Sequence, residues 1–491
     1  MHRLKLNPEI SVSIVFVAAM FMSIMDSTIV NVALPSLGRQ LGVSNTSIDA
    51  VVVGYLVSLA VVIPASGWLG DRFGTKRIFL LALALFSISS ALCGLAQNFT
   101  MLVIFRVLQG ASGGALTPVG TAILYRTFPP ERRVAVSRIL IIPTVIAPAV
   151  GPVLGGFLVD QLSWRWVFYV NVPIGIAACL FGLFYLSEHR ESTAGRFDMM
   201  GFLLAGIGLA LLMYALSEGP SYGWSSISIL SSMLVGLIML CVFVVFELRT
   251  REPMVDLRLF SDRIFRTSNL VALFSSAGFL GVLFSVPLFL QEGRGVSAFT
   301  SGLTTFPEAI GVVLSTQIVA RLYPKIGPRR LMAGGLAGVA IIMTLMCFVG
   351  GDTSLWYLRA LMFFLGAGMA YSFLPVQAAA FATISPTDTG RASSLYTAQR
   401  QLGAALGVAV LGSVLSLVGT TYRNTAGIVL PNLNAYHAAF LAAAALALVG
   451  AVFALAIHDS DAASTMRRAK KRSDSENETE VPGVVVGADA V

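Results

Sequence analysis

Asp26, Arg106, Gln109 and Glu308 could carry chemistry in this sequence, because each interrupts a long apolar run. A charged group at the centre of a membrane helix costs about 2.5–3.5 kcal/mol, so an ionisable residue there is a candidate for function. Asp26 stands in the middle of the first run. Burial disfavours the ionised form of a carboxylate. Asp26 can therefore take up a proton at one membrane face and release it at the other; the alternative is a satisfied polar bridge between helices. Arg106 keeps its charge and must find a partner or water. If it moves relative to Asp26, protonation is coupled to conformation; if it does not, the two form a permanent ion pair. Gln109, one turn on, extends the polar lining. Glu308 follows Pro307 and reads as a second proton site, a cation contact or a solvated group near the end of its run. Arg138 and Arg400 fall near the ends of theirs, where long side chains reach back to water. The role of Arg359 is open.

Other chemistries are poorly supplied. Cys93, Cys179, Cys241 and Cys347 all lie in apolar runs with no CxxC spacing, so no metal site is expected. His2, His189, His437 and His458 lie near run ends, in loops or in a tail. No convergent acid–base or nucleophile set results, so no catalytic residue is assigned and an enzyme is not expected. No GxxxxGK[ST] loop occurs, which excludes ATP as the driver within this chain. No cofactor is expected.

The elements that position these residues follow from hydropathy. The 491 residues are 56% hydrophobic and 12% charged, against about 25% charged in soluble domains. The apolar residues gather in fourteen runs of about the length that spans a bilayer. Backbone groups in lipid must be satisfied internally, so the runs are predicted to be helices of an all-α membrane protein. Of the 33 Lys and Arg, 25 fall on the side that carries both termini and 4 on the other; Arg106, Arg138, Arg359 and Arg400 are inside runs. This asymmetry places both termini in the cytoplasm. It also explains the net charge of +8 without nucleic acid.

The chain repeats itself. GWLGDRFGTKR (67–77) returns as ARLYPKIGPRR (320–330), aligning Leu69, Gly74 and Arg77 with Leu322, Gly327 and Arg330, and Arg106 has a counterpart in Arg359. Six-helix repeats mark transporters. The expected organisation is a cytoplasmic N-terminus at 1–9, a six-helix bundle at 10–187, two extra helices and a linker at 188–266, a second six-helix bundle at 267–457 and a disordered cytoplasmic tail at 458–491. The tail's basic RRAKKR block (467–472) is placed against anionic headgroups.

MDSTIVNVALP (25–35), GWLGDRFGTKR, FRVLQGASGG (105–114), APAVGPVLGG (147–156) and WRWVFYVNVPIG (164–175) stand in order on the first, second, fourth, fifth and sixth runs. In this the chain resembles the major facilitator superfamily, in its fourteen-helix drug:proton antiporter branch of multidrug efflux transporters. Thr75 stands where that loop motif is usually basic, and Ala147 where the antiporter motif often has Gly. The resemblance implies two six-helix halves plus two central helices in a bacterial cytoplasmic membrane. It implies export by alternating access, driven by the proton gradient. Small amphiphilic or cationic compounds would be the substrates, and a monomer the working unit. A native metabolite or lipid is the alternative cargo.

The resemblance also makes the loop with Gly67, Asp71, Arg72, Gly74 and Arg77 a latch on the cytoplasmic gate. Asp71 can cap a neighbouring helix N-terminus, where the dipole favours a carboxylate, and so stabilise the outward-open state. Gly151 and Gly155 form a small-xxx-small face. Together with Pro148, Pro152 and Gly156 they suit a tightly packed helix that bends. A midplane cavity for amphiphiles would use adaptable apolar side chains, with Met22, Met25, Asn31, Tyr55 and Phe274 as candidates.

Overall fold

In the computed structural model, residues 7–43, 48, 50–129, 132–190, 196–251, 253–423 and 429–466 are described. Fourteen long helices dominate them. They are α1 (Pro8–Leu41), α2 (Ala50–Phe73), α3 (Thr75–Leu95), α4 (Phe99–Thr127), α5 (Arg133–Gln161) and α6 (Trp166–Tyr185). Then follow α7 (Met199–Tyr222), α8 (Ile227–Arg249), α9 (Arg263–Leu288), α10 (Phe299–Ile326), α11 (Pro328–Met346), α12 (Leu355–Ala380), α13 (Thr389–Val418) and α14 (Leu433–Leu455). Thirteen pass as membrane spans by length and hydropathy, and α5 makes the fourteenth as a pair bent by 40° between Val136–Pro148 and Val153–Val159. The bend falls where Pro148 and Pro152 interrupt the sequence, since proline removes a helix donor and clashes with the preceding turn.

Local signals set the ends. Asn7 accepts from Glu9 N (3.0 Å) with Pro8 at the first helical position, and Gly42 closes α1 at φ +66°. Asn98 caps α4 through Met101 N (2.9 Å), and Asp198 caps α7 through Gly201 N (2.8 Å). Several helices outrun their apolar runs, because helical hydrogen bonding continues past the hydrocarbon. Thus α13 begins at Thr389, four residues before its run. A short antiparallel pair, Thr421–Arg423 with Val429–Pro431, is a small strand addition to the all-α expectation.

Helices α1–α6 pack among themselves, as do α9–α14, and the two groups meet through α2 with α13, α4 with α13, and α5 with α10 and α12. The extra pair is peripheral. Helix α7 lies along the α2–α13 seam, where Leu209 and Met213 pack with Ala60, Leu402 and Ala405. Trp224 just beyond it donates to Ser413 (2.6 Å). Helix α8 packs on α7 at the close approach of Gly208 and Gly236.

The internal repeat is a structural one. Gly74 and Gly327 both precede a helix at positive φ (+105° and +84°). Beside Gly74, Glu188 accepts from Lys76 N (3.0 Å); beside Gly327, Asp459 accepts from Arg329 N (3.0 Å). Each carboxylate follows the last helix of its half and sits at a helix N-terminus, where the dipole favours it. The tail expectation needs correction at its start. Residues 459–466 form two short helical turns, with Tyr323 hydroxyl 2.8 Å from that of Thr465 and Ser464 donating to Ala382 O (3.0 Å). The basic block at 467–472 and the rest of the tail lie outside the described residues, as do residues 1–6.

Candidate functional site

Asp26, Arg106 and Gln109 converge inside the first half, each at 0% exposure. Helix α1 supplies Asp26, while Arg106 and Gln109 stand one turn apart on α4 and so face it together. Arg106 Nη1 donates to Asp26 Oδ2 (2.5 Å), and Gln109 Nε2 donates to Asp26 Oδ1 (3.0 Å). Arg106 also donates to Gln109 Oε1 (2.8 Å) and to Val51 O (3.2 Å), and its guanidinium lies 4.2 Å from the centroid of the Tyr55 ring. Charge, hydrogen bonds and an aromatic face together replace the water this cation gave up.

Asn171 of α6 completes the group, donating to Asp26 Oδ1 (2.7 Å) and Ser90 Oγ (3.1 Å). Reading the sequence for charge alone missed it. The signal was an amide inside WRWVFYVNVPIG, at a depth where unpaired polar groups are costly. The cluster depends on close backbones. A Cβ on Gly110 would strike Tyr55 O and Ser58 Oγ, and one on Gly151 or Gly155 would strike Thr28 or Ile29. The bent α5 therefore bears on α1 within a turn of Asp26. Gly156 faces open space, so it takes no part in this packing.

The loop residues form a second cluster. Arg126 Nη2 pairs with Asp71 Oδ1 (2.8 Å) and Arg126 Nε donates to Pro386 O (3.2 Å), tying α2 and α4 to the chain just before α13. A Cβ on Gly390 would lie 2.8 Å from the Asp71 carboxylate oxygens, so the carboxylate sits against the first turn of α13, where the dipole favours it. Ser66 and Ser394 hydroxyls (3.2 Å), Ser393 with Pro118 O (2.7 Å), and the stacked Tyr125 and Phe381 rings (4.3 Å) close the halves together at this basic end. Arg77 pairs with Glu188 (3.6 Å), and Arg72 is exposed.

Several expectations change. Glu308 is buried, not solvated, and no described residue hydrogen bonds or pairs with it; its backbone abuts Gly366 of α12. Met22 packs in the core of the first half, Met25 is buried and Tyr55 serves Arg106. Phe274 stacks on Phe453 within the second half (5.5 Å). These residues therefore do not build a cavity between the halves. The side chains of Asn31 and Pro152 lie outside the described residues. Arg359 lies over Trp356 (4.5 Å) with no acid partner among the described residues, unlike its repeat mate Arg106. Arg400 is not at a helix end. It stands eleven residues into α13, about 16 Å along the axis, and lines a small void between the halves with Ile141, Ser276, Gln377 and Tyr396.

Comparison with known proteins agrees with this architecture. The family model described as Major Facilitator Superfamily matches residues 16–196, 184–408 and 308–485. The "Multidrug resistance protein B homolog" of Mycobacterium tuberculosis (strain ATCC 25618 / H37Rv) is 33% identical over 407 residues, covering 82% of this chain and 75% of the relative. "Multidrug resistance protein 3" of Bacillus subtilis (strain 168) is 34% identical over 82% of this chain and 79% of its own length. "Putative multidrug resistance protein MdtD" of Yersinia pestis (strain Pestoides F) is 35% identical over 86% and 89%. Among solved structures, the human organic anion transporter MFSD10 superposes with a TM-score of 0.66 at 18% identity, covering 91% of this chain and all of that one. The proton:xylose symporter XylE bound to 6-bromo-6-deoxy-D-glucose superposes at 0.60 and 14% identity, over 91% and 96%. Matched along nearly its whole length, and about a third identical to relatives over four fifths of it, this multi-pass membrane chain belongs to the major facilitator superfamily of transporters.

Proposed function

We propose that the protein exports small amphiphilic, drug-like compounds across a bacterial cytoplasmic membrane in exchange for protons, by alternating access. Supporting the cargo are the names of its relatives, each a multidrug resistance protein. The observation that carries the coupling is the buried Asp26 carboxylate, held by Arg106 and Gln109 of α4 and by Asn171 of α6. A proton arriving at Asp26 removes the charge that Arg106 answers, which loosens α1 from α4. Because Gly151 and Gly155 press α5 against α1, the change reaches the bend in α5. Charge asymmetry puts the basic end in the cytoplasm. There Asp71 at the start of α13 and its pairing with Arg126 act as the latch that holds the gate shut. The proton gradient is the driver, and a monomer contains every element of the cycle.

The test uses respiring everted vesicles, acid inside, carrying the wild-type protein and a pH-sensitive dye. Adding ethidium should partly dissipate the gradient, because each substrate moved inward releases protons outward. Vesicles that accumulate ethidium with no proton release, or that respond no more than vesicles without the protein, would overturn the reading.

A further inference from the structure

The void between the halves is bordered by polar groups that the protein leaves unanswered. Ser276 of α9, Gln377 of α12 and Tyr396 of α13 are 5%, 5% and 4% exposed, and Arg400 stands one turn beyond Tyr396. No described residue forms a hydrogen bond or ion pair with any of these four side chains. Buried polar side chains almost always have partners, and a guanidinium must have an anion, a dipole or water. The contrast with Arg106, whose charge is met at 2.5 Å, is direct. No carboxylate lines the void.

A second feature leads to it. Along the α5–α10 seam, opposite the seam that α7 covers, a groove of about 420 Å³ opens at the basic end. It is lined by Glu9, Ile10 and Ile14 at the start of α1, by Arg132 just before α5 and by Arg138 of α5. Arg132 is paired with Glu9, and Arg138 donates to Gln317 of α10, bridging the two halves. Ile141 borders both the groove and the void, so the two meet at this side chain.

We infer that the void is the binding site for the anionic headgroup of a single-chain amphiphile, which enters from the cytoplasmic leaflet through the α5–α10 groove and passes Ile141 to reach Arg400. Arg400 takes the oxyanion through its planar donor fork, while Gln377, Tyr396 and Ser276 supply neutral hydrogen bonds. The groove suits such a molecule, holding an acyl chain against isoleucines and a headgroup near Arg138, whose described partner is the neutral Gln317. The inference rests on reading the chain as an exporter of amphiphiles, and it gives the anions among that cargo a contact of their own.

The experiment measures equilibrium binding of radiolabelled laurate to the full-length protein in phosphatidylcholine nanodiscs. Dodecyltrimethylammonium, with the same chain and the opposite charge, is the competitor. A charge-assisted hydrogen bond is worth about 1.5–3 kcal/mol, or roughly tenfold and more in affinity. Arg400→Gln should therefore weaken laurate binding about tenfold or more, and Arg400→Lys should recover most of it. Gln377→Leu, which removes a neutral partner, should weaken it by a few-fold, and serves if the Arg400 variants fail to fold. The cation should compete poorly. Laurate binding that survives Arg400→Gln and Gln377→Leu, or that the cation displaces as well as laurate does, overturns the inference. Phosphatidylglycerol, an anion with two acyl chains, should compete poorly when added to the discs; competition as strong as that of unlabelled laurate overturns the single-chain assignment. Arg400-dependent laurate binding without ethidium-driven proton release sinks the export reading and leaves the anion site standing. Proton release without Arg400-dependent binding does the reverse.

Discussion

Asp26 and the half-buried Arg400 are charges on membrane helices of the same bundle under opposite circumstances. Asp26 receives donors from Arg106, Gln109 and Asn171 and is fully buried within one half. Arg400 lies at the boundary of the two halves and no described residue answers its charge. A set of polar groups that satisfy one another changes only when a proton arrives or a helix moves, which suits coupling. A set with unanswered donors suits the receipt of a ligand. On the proposed function, the comparison assigns energy coupling to the first half and the substrate contact to the second.

The largest effect expected from that contrast is on stability. Arg106→Leu strands a buried carboxylate, and breaking a buried pair costs about 3–5 kcal/mol. Thermal unfolding of the purified protein should show this loss. Arg400→Leu strands nothing and should change stability by no more than about 0.5 kcal/mol. Equal losses in the two variants would erase the distinction.

An intermediate effect belongs to the gate between the regions. A Cβ on Gly67 would lie 2.6 Å from Gly390 O and 2.7 Å from Ser394 Oγ, so Gly67→Ala props the basic end open. Overpacking costs about 1–3 kcal/mol, here paid by the closed state alone. A cysteine placed at the buried Ser393, in a background lacking the four native cysteines, should become reactive to a maleimide added from the cytoplasm. Unchanged reactivity would mean that this contact does not hold the gate.

Much of the coupling half was legible. A charge inside a twenty-residue apolar run is conspicuous, so Asp26 and Arg106 stood out, and the proline and glycine spacing around 148–156 announced a bend. The void between the halves was not legible in the same way. Its lining mixes Ser276, Gln377 and Tyr396, residue types that also occur as ordinary interhelical bridges. Arg400 was misplaced because the apolar run starts four residues after the helix does, which made a mid-helix cation look terminal. Met22, Met25 and Phe274 failed as cavity residues because inward-facing and lipid-facing positions share one composition. Asp459 was hidden in a segment whose polarity reads as disorder, although its role mirrors that of Glu188.

The smallest effect is assigned to Glu308. It is buried with neither cation nor donor among the described residues, so Glu308→Gln removes no interaction. Ethidium-driven proton release should stay within about twofold of wild type, below the roughly 0.5 kcal/mol at which a substitution is distinguishable. A larger fall would make it a second proton site and move part of the coupling into the second half.

The most direct test is Asp26→Asn in proteoliposomes, comparing substrate exchange at equal pH with accumulation driven by an imposed pH gradient. Asparagine keeps the shape and can still accept from Arg106, but it carries no proton. The expected result is exchange retained and gradient-driven accumulation abolished. Accumulation that persists in the variant would contradict the claim that Asp26 couples protons to transport.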